Sequence, residues 1–273
     1  MSFLNQNPHL INKVVKLAKD AGESILDIYN NPNSDFKLKE DKSPLTVADI
    51  ASHKIIVKGL KDLKPELPII SEEGSEIPFK VRSKWNRYWL VDPLDGTKEF
   101  LQKNGEFTVN ISLIDNNRPI LGVINIPVND ETYWGSESEG SFFQEGALKI
   151  KKIHVKNKYQ GPIRIASSRS HPSILLNLFL KKIKDYELVT KGSSIKFCLI
   201  ASGQADIYPR LGPTSEWDTA AGQAILVNAG GSVIQMNGSP LRYNKKKSLL
   251  NQNFIAISTD QSKEIKKYLD SFA

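Results

Sequence analysis

Two aspartates held three apart in Asp92-Pro93-Leu94-Asp95-Gly96-Thr97 are the residues of this sequence whose types and spacing best suit chemistry. The apolar run from Tyr88 to Val91 reads as a buried strand that delivers Asp92 to the edge of a sheet. Pro93 fixes one backbone angle and Gly96 permits another, so a tight turn can gather Asp92, the Leu94 carbonyl and Asp95 around one point. Hard oxygen donors that converge in this way suit Mg²⁺ or Mn²⁺. A purely conformational reading also exists, because Asp, Pro and Gly favour the turn after a strand with no chemistry involved.

The spacing bears on a further alternative. Phosphatases of the haloacid-dehalogenase type carry a DxDGT loop after an apolar strand, with nucleophile and acid-base aspartates two apart. The spacing of three here favours metal ligation over an aspartyl nucleophile. Other acids sit where they could join the pair. Ile69-Ile70-Ser71-Glu72 repeats the layout of a strand ending in a carboxylate, and two such strand ends can meet at one sheet edge. Asp49 falls in the first turn of a helix expected from about Val47 to Leu60, where an acid is ordinarily a partner for the helix dipole. Asp218 falls in the first turn of another, expected from Trp217 to Asn228, with Ser215 as its cap and Gly230-Gly231 as its stop.

Cys198 is the single cysteine, which excludes an internal disulfide, and its neighbours Phe197, Leu199 and Ile200 make it a buried, inert thiol. His9, His53, His154 and His171 lack metal-ligand spacing, and no Ser-His-Asp or Cys-His set is required. With 273 residues the chain can bury a full enzyme core. Its net charge of +7 is concentrated in clusters such as Lys245-Lys246-Lys247. No zinc spacing, RNP string or aromatic-basic alternation accompanies that charge, so nucleic acid is not the expected partner; a polyanionic small substrate is. No apolar run reaches the length of a signal-peptide core or a transmembrane segment, and the expectation is a cytoplasmic protein.

These residues need elements to hold them. Helical spacing of apolar residues runs from Ile11 to Tyr29, and from Glu106 to about Phe143 the chain alternates and turns as an antiparallel meander. Beyond a lysine-rich link, Lys149 to Lys158, strands and helices alternate: strands near 163–166, 187–189, 206–208, 233–236 and 254–258, helices near 173–183 and 195–201, and a closing helix. The expected division is an antiparallel half, 1–155, carrying most of the candidate ligands, and a mixed α/β half, 156–273, carrying Asp218 and the residues that choose the substrate.

The strings LxxDxSPxTxAD, SEE, WLVDPLDGT and WDTAAG, in this order and over nearly the whole chain, resemble the inositol-monophosphatase superfamily of metal-dependent, lithium-sensitive phosphatases. Within it, KEDKSPLTVAD, IISEEG, YWLVDPLDGTKEFLQKNGEFTVNISLID, GSSIKFC, YPR and EWDTAAG are similar to the bacterial 3'(2'),5'-bisphosphate nucleotidases of sulfate assimilation. The resemblance implies an α+β, layered α-β-α-β-α sandwich with the site between its halves. It implies Glu72, Asp92, the Leu94 carbonyl, Asp95 and Asp218 as ligands of two or three Mg²⁺, with Mn²⁺ able to substitute. It further implies that Asp49 and Thr97 orient the attacking water, and that the Gly96 and Thr97 amides hold the scissile phosphate at the start of a short helix. Crowded carboxylates raise one another's pKa and repel unless cations compensate, which agrees with that assignment.

A nucleoside bisphosphate brings a second phosphate for the protein to neutralise. Lys196 and Arg210, with Ser193 nearby, stand where nucleotidases carry their anchors, and Arg169 and His171 are further candidates to line the pocket. In isolation, Lys196 and Arg210 read as surface residues. The expected reaction is hydrolysis of adenosine 3',5'-bisphosphate to AMP and phosphate, with the 3'-phosphorylated sulfonucleotide as a second substrate, in a monomer or homodimer that is free or peripheral on the cytoplasmic face of the inner membrane. The alternatives are an inositol-phosphate or fructose-bisphosphate phosphatase on the same fold, and a non-catalytic basic scaffold.

Overall fold

The structure, a computed structural model, describes residues 3–30, 36–38, 44–156, 161–169 and 174–258, with only the backbone described at 36–38 and 44–46. Lys39 to Ser43, His171, Ser173 and the expected closing helix lie outside the described residues.

The chain opens with α1 (Phe3–Gln6) and α2 (Leu10–Asn30); β1 (Phe36–Leu38) pairs antiparallel with β2 (Pro44–Thr46), which runs into α3 (Val47–Asp62). A seven-stranded sheet follows, with its strands in chain order: β3 (Ile69–Ser71), β4 (Arg87–Asp95), β5 (Thr108–Asp115), β6 (Arg118–Ile126), β7 (Glu131–Ser136), β8 (Gly140–Glu145) and β9 (Lys151–Ile153). Two short helices flank β4, α4 (Phe79–Arg82) before it and α5 (Thr97–Leu101) after it. The meander is antiparallel as its turns suggest, but β3 joins β4 in parallel, and part of the lysine-rich link belongs to the sheet as β9.

The later chain gives β10 (Ile163–Ser168), α6 (Ile174–Leu180), β11 (Tyr186–Lys191), α7 (Ile195–Ala201), β12 (Ile207–Arg210), α8 (Glu216–Asn228), β13 (Ser232–Gln235) and β14 (Phe254–Ile257). Its strands form a second sheet in the order β11-β10-β12-β14-β13, parallel around β10 and antiparallel around β14.

Side-chain alternation sorts these elements into layers, because successive strand residues face opposite sides of a sheet. Trp89 and Val91 of β4 pack with Val14, Ala18 and Ile25 of α2 and with Ile56 and Leu60 of α3. Their neighbours Tyr88 and Leu90 face a different core, shared with Phe197 and Ile200 of α7, Ala220 and Ile225 of α8, and Phe254 and Ala256 of β14. Ile255 and Ile257 of β14 face outward again, onto Phe179 and Leu180 of α6. The order is helix, sheet, helix, sheet, helix, the layered α+β architecture. Small residues let the middle layers approach closely: a Cβ added at Gly122 of β6 would stand 2.4 Å from the Ala221 carbonyl oxygen of α8.

The central helix layer explains one departure from expectation. Every residue of α7 is buried, Lys196 included, because this helix lies between the two sheets rather than on the surface.

Candidate active site

Parallel pairing of β3 with β4 brings two acids together. Ser71 is in register with Val91, and the Glu72 amide donates to the Val91 carbonyl at 3.1 Å, so Glu72 leaves the sheet beside Asp92. The expected tight turn after Asp92 is instead a bulge within a strand that continues to Asp95. Asp92 pairs with Asn110 and Asp95 with Thr108, so three steps on β4 match two on β5. Residues three apart in a regular strand face opposite sides, and the extra residue brings both aspartates to one side. Pro93 fits there because a bulge leaves its missing N–H without consequence. The Ser52 hydroxyl of α3 holds the Pro93 carbonyl at 2.7 Å, and the Leu94 amide donates to Asp92 Oδ1 at 3.1 Å. The turn itself comes at Gly96, whose φ of 96° lies in the left-handed region, and Thr97 then begins α5.

A fourth carboxylate comes from α8. Asp218 closes a capping box: its Oδ2 accepts the Ser215 amide at 2.9 Å and the Thr214 hydroxyl at 2.6 Å. Glu72, Asp92, Leu94, Asp95, Gly96, Thr97, Ser193, Lys196, Arg210 and Asp218 all line one cleft of about 350 Å³ between the two sheets. Asp49 does not line it. This residue is 1% exposed in the first turn of α3, and its charge disfavours the ionisation of Asp92.

Electrostatics in the cleft are those of negative charge without enough compensation. Burial pushes the Asp92 carboxyl well above the usual range, and Glu72, Asp95, Asp218 and Asp49 push it further. Burial also raises Asp95, against the Ser193 hydroxyl and the Lys196 ammonium. Asp218 is pushed up to about 7 by burial and by Asp95, against its two cap hydrogen bonds. Among the described residues, no three of these groups close into a finished coordination cage, and Asp95 and Asp218 rest on hydroxyls instead. A donor set of carboxylates and one carbonyl, crowded enough to resist ionisation, fits hard divalent cations, which reverse the repulsion.

On the opposite wall the charge is positive. The buried Lys196 ammonium donates to the Lys191 carbonyl at 3.2 Å and to the Ser193 carbonyl, and lies 5.2 Å from the centroid of the Tyr208 ring. Burial lowers its pKa to about 8, against the pull of Asp95 and with the push of Arg210. Ser193, at a φ of 53°, donates to Asp95 Oδ2 at 2.7 Å and so ties the two walls together. Arg169 does not line the cleft. Its guanidinium grips Glu106 at 2.8 and 2.9 Å. Of the histidines, His53 Nδ1 is 2.8 Å from the Ser71 hydroxyl.

Sequence reasoning passed over Thr214, Tyr208 and Glu106. Tyr208 is the first residue of the string YPR and Thr214 stands two residues before EWDTAAG, and those positions are the available signal. Glu106 falls within the string that runs from Tyr88 to Asp115, but nothing local marks its role, since its partners lie 63 and 86 positions away. Burial alone would raise its carboxyl, but hydrogen bonds from Arg169, the Gly192 amide and Lys191 bring it down to about 2. The stability this gives is complete above the ordinary glutamate range and lost as the pH falls toward 2. Arg169 is half exposed, so solvent screening leaves only part of that shift as stability. Urea unfolding of wild type and Glu106→Gln should therefore show a gap at pH 7 that narrows by pH 3, and a gap independent of pH would contradict the assignment.

The sequence profile of the inositol monophosphatase family matches residues 7–270. The chain is 46% identical over 246 residues to the 3'(2'),5'-bisphosphate nucleotidase CysQ of Escherichia coli strain K12, covering 90% of this chain and 98% of that protein. It is 47% identical over 255 residues to the CysQ of Buchnera aphidicola from Acyrthosiphon pisum, covering 90% of this chain and 93% of that protein. Among solved structures, CysQ of Bacteroides thetaiotaomicron, a bacterial member of the inositol monophosphatase family, superposes with a TM-score of 0.82 at 42% identity, over 91% of this chain and 96% of its own. An inositol monophosphatase of Thermotoga maritima, at 23% identity, shares the fold with a TM-score of 0.76. With the layered sandwich, the carboxylate cleft and these likenesses in agreement, the chain belongs to the inositol monophosphatase family.

Proposed function

We propose that this chain is a metal-dependent 3'(2'),5'-bisphosphate nucleotidase that hydrolyses the 3'-phosphate of adenosine 3',5'-bisphosphate to give AMP and phosphate in sulfate assimilation, with the 3'-phosphorylated sulfonucleotide as a second substrate. The observation that carries the choice of substrate is the pair Lys196 and Arg210, two cations on the cleft wall facing the carboxylates, close enough for Arg210 to disfavour the charge on Lys196. A monophosphate ester turns its one phosphate to the acidic wall and leaves that pair uncompensated. A second phosphate relieves it through charge-assisted hydrogen bonds.

In this reading Glu72, Asp92, the Leu94 carbonyl, Asp95 and Asp218 hold two or three Mg²⁺, or Mn²⁺ in their place. Bound there, the metal supplies Lewis-acid polarisation of the phosphoryl group and eases deprotonation of water. Thr97 orients the attacking water from the cleft wall, with Asp49 acting through it from outside the lining, and the Gly96 and Thr97 amides hold the scissile phosphate. Ser193, Lys196 and Arg210 hold the phosphate that stays. No helix among the described residues is long and apolar enough to cross a membrane. The reading places the enzyme in the cytoplasm as a monomer or homodimer.

The deciding measurement is phosphate release from adenosine 3',5'-bisphosphate, adenosine 3'-monophosphate, inositol 1-phosphate and fructose 1,6-bisphosphate, with Mg²⁺ and after chelation. The bisphosphonucleotide should lead in kcat/KM by about 100-fold, and chelation should stop release. A comparable kcat/KM for inositol 1-phosphate, or release that survives chelation, would sink the proposal.

A further inference from the structure

Glu106 lies outside the cleft, between α5 and β5, yet it is 7% exposed and gathers donors from the ends of two strands of the other sheet. Its Oε2 accepts Arg169 Nε at 2.8 Å and the Gly192 amide at 2.8 Å, and its Oε1 accepts Arg169 Nη2 at 2.9 Å, with Lys191 Nζ at 3.2 Å. The fit is close as well as charged. A Cβ added at Gly192 would stand 2.6 Å from Glu99 Cγ and 2.8 Å from the Glu106 carbonyl oxygen. The residues on either side of Gly192 are the ones whose carbonyls receive the Lys196 ammonium: Lys191 at 3.2 Å, and Ser193. Ser193 also holds its backbone at a φ of 53°, a conformation that persists in a residue other than glycine when its surroundings over-determine it.

We propose that Glu106 is a positioning residue for specificity: by gripping the side chain of Lys191 and the amide of Gly192, it fixes the two carbonyls that aim Lys196 at the phosphate that is not cleaved. This rests on the reading of Lys196 as a phosphate anchor. The Glu106 side chain lies outside the cleft lining, so its effect falls mainly on substrates that carry a second phosphate, with a smaller loss common to all substrates through Ser193 and Asp95. A buried carboxylate with four donors is well suited to the task, because charge-assisted hydrogen bonds fix geometry more tightly than neutral ones. Without it, the 191–193 backbone has fewer constraints, and a lysine held only by carbonyl oxygens loses its aim.

The test uses the full chain and two substitutions, Glu106→Gln and the milder Arg169→Gln, whose side chain is half exposed and whose loss does not threaten folding. Loss of charge-assisted bonds should lower kcat/KM for adenosine 3',5'-bisphosphate by about 30-fold in Glu106→Gln and about 5-fold in Arg169→Gln, mainly through KM. The value for adenosine 3'-monophosphate should stay within about 2-fold. A second readout involves no turnover: AMP carries only the retained phosphate, and its affinity measured by calorimetry in EDTA should fall by the same factors. Equal losses on both esters, or AMP affinity unchanged in Glu106→Gln, would overturn the role of Glu106 alone. Failure of the wild type to bind AMP in EDTA, or to prefer the bisphosphate, would overturn the Lys196 reading and this proposal with it.

Discussion

Asp218→Asn and Asp95→Asn should each lower kcat by more than about 10³-fold while leaving the metal-free protein at least as stable as wild type. Asparagine keeps the shape of aspartate and retains one acceptor oxygen for the Thr214 hydroxyl and the Ser215 amide at the start of α8, so the cap survives. What it removes is charge. Burial and Asp95 hold the Asp218 carboxyl up to about 7, so a neutral side chain relieves repulsion in the metal-free protein. The same neutrality weakens the hold on Mg²⁺. Wild type should therefore gain thermal stability on adding Mg²⁺, by mass action on the folded state, and the variants should gain little. Thermal unfolding with and without Mg²⁺, beside phosphate release, separates lost metal from a lost fold. Near-native turnover at saturating Mg²⁺ in either variant would show that the carboxylate does not hold metal.

Lys196→Met combined with Arg210→Ala should cut kcat/KM for adenosine 3',5'-bisphosphate by about 10² to 10³-fold and that for adenosine 3'-monophosphate by no more than about 3-fold. Methionine replaces lysine because Lys196 is buried against Tyr208, and truncation would add a cavity to the loss of charge. Taking a phosphate out of water is costly unless ionic hydrogen bonds replace its hydration, and these two side chains are the cationic donors on that wall of the cleft. Arg210 can grip bidentately, whereas Lys196 contributes a point charge. The ratio of the two kcat/KM values carries the information, because Lys196 also faces Asp95 and its removal alters the acidic wall for every substrate. A ratio unchanged from wild type would remove the physical basis for choosing a bisphosphate over a monophosphate.

The motif strings around Asp92, Glu72 and Asp218 were legible because each is local: a strand end, a turn residue, the first turn of a helix. Most elements were legible too, since the alternation in β5 and β6 and the helical spacing in α2 are properties of short stretches. Two local readings still missed their geometry. Asp92 to Asp95 reads locally as a turn, whereas pairing with β5 draws the strand on to Asp95 and answers the odd spacing with a bulge. In isolation Lys196 reads as a surface residue, because a lysine in a short helix is usually exposed, whereas the resemblance puts it in the pocket and α7 has a sheet on either side.

Motifs that each span a few residues carry the family and the residue types at the cleft, and the layered α+β class follows from the resemblance those motifs bear rather than from periodicity. Tertiary packing sets which residues share the cleft, that Arg169 turns away from it onto Glu106, and that Asp49 is buried outside its lining. The physical reason is that a carboxylate's burial and its partners come from chain segments far apart in sequence. Glu106 meets Gly192 only because packing two sheets around α7 and α8 brings the end of β11 to the start of β5, a contact that no local pattern of residues encodes.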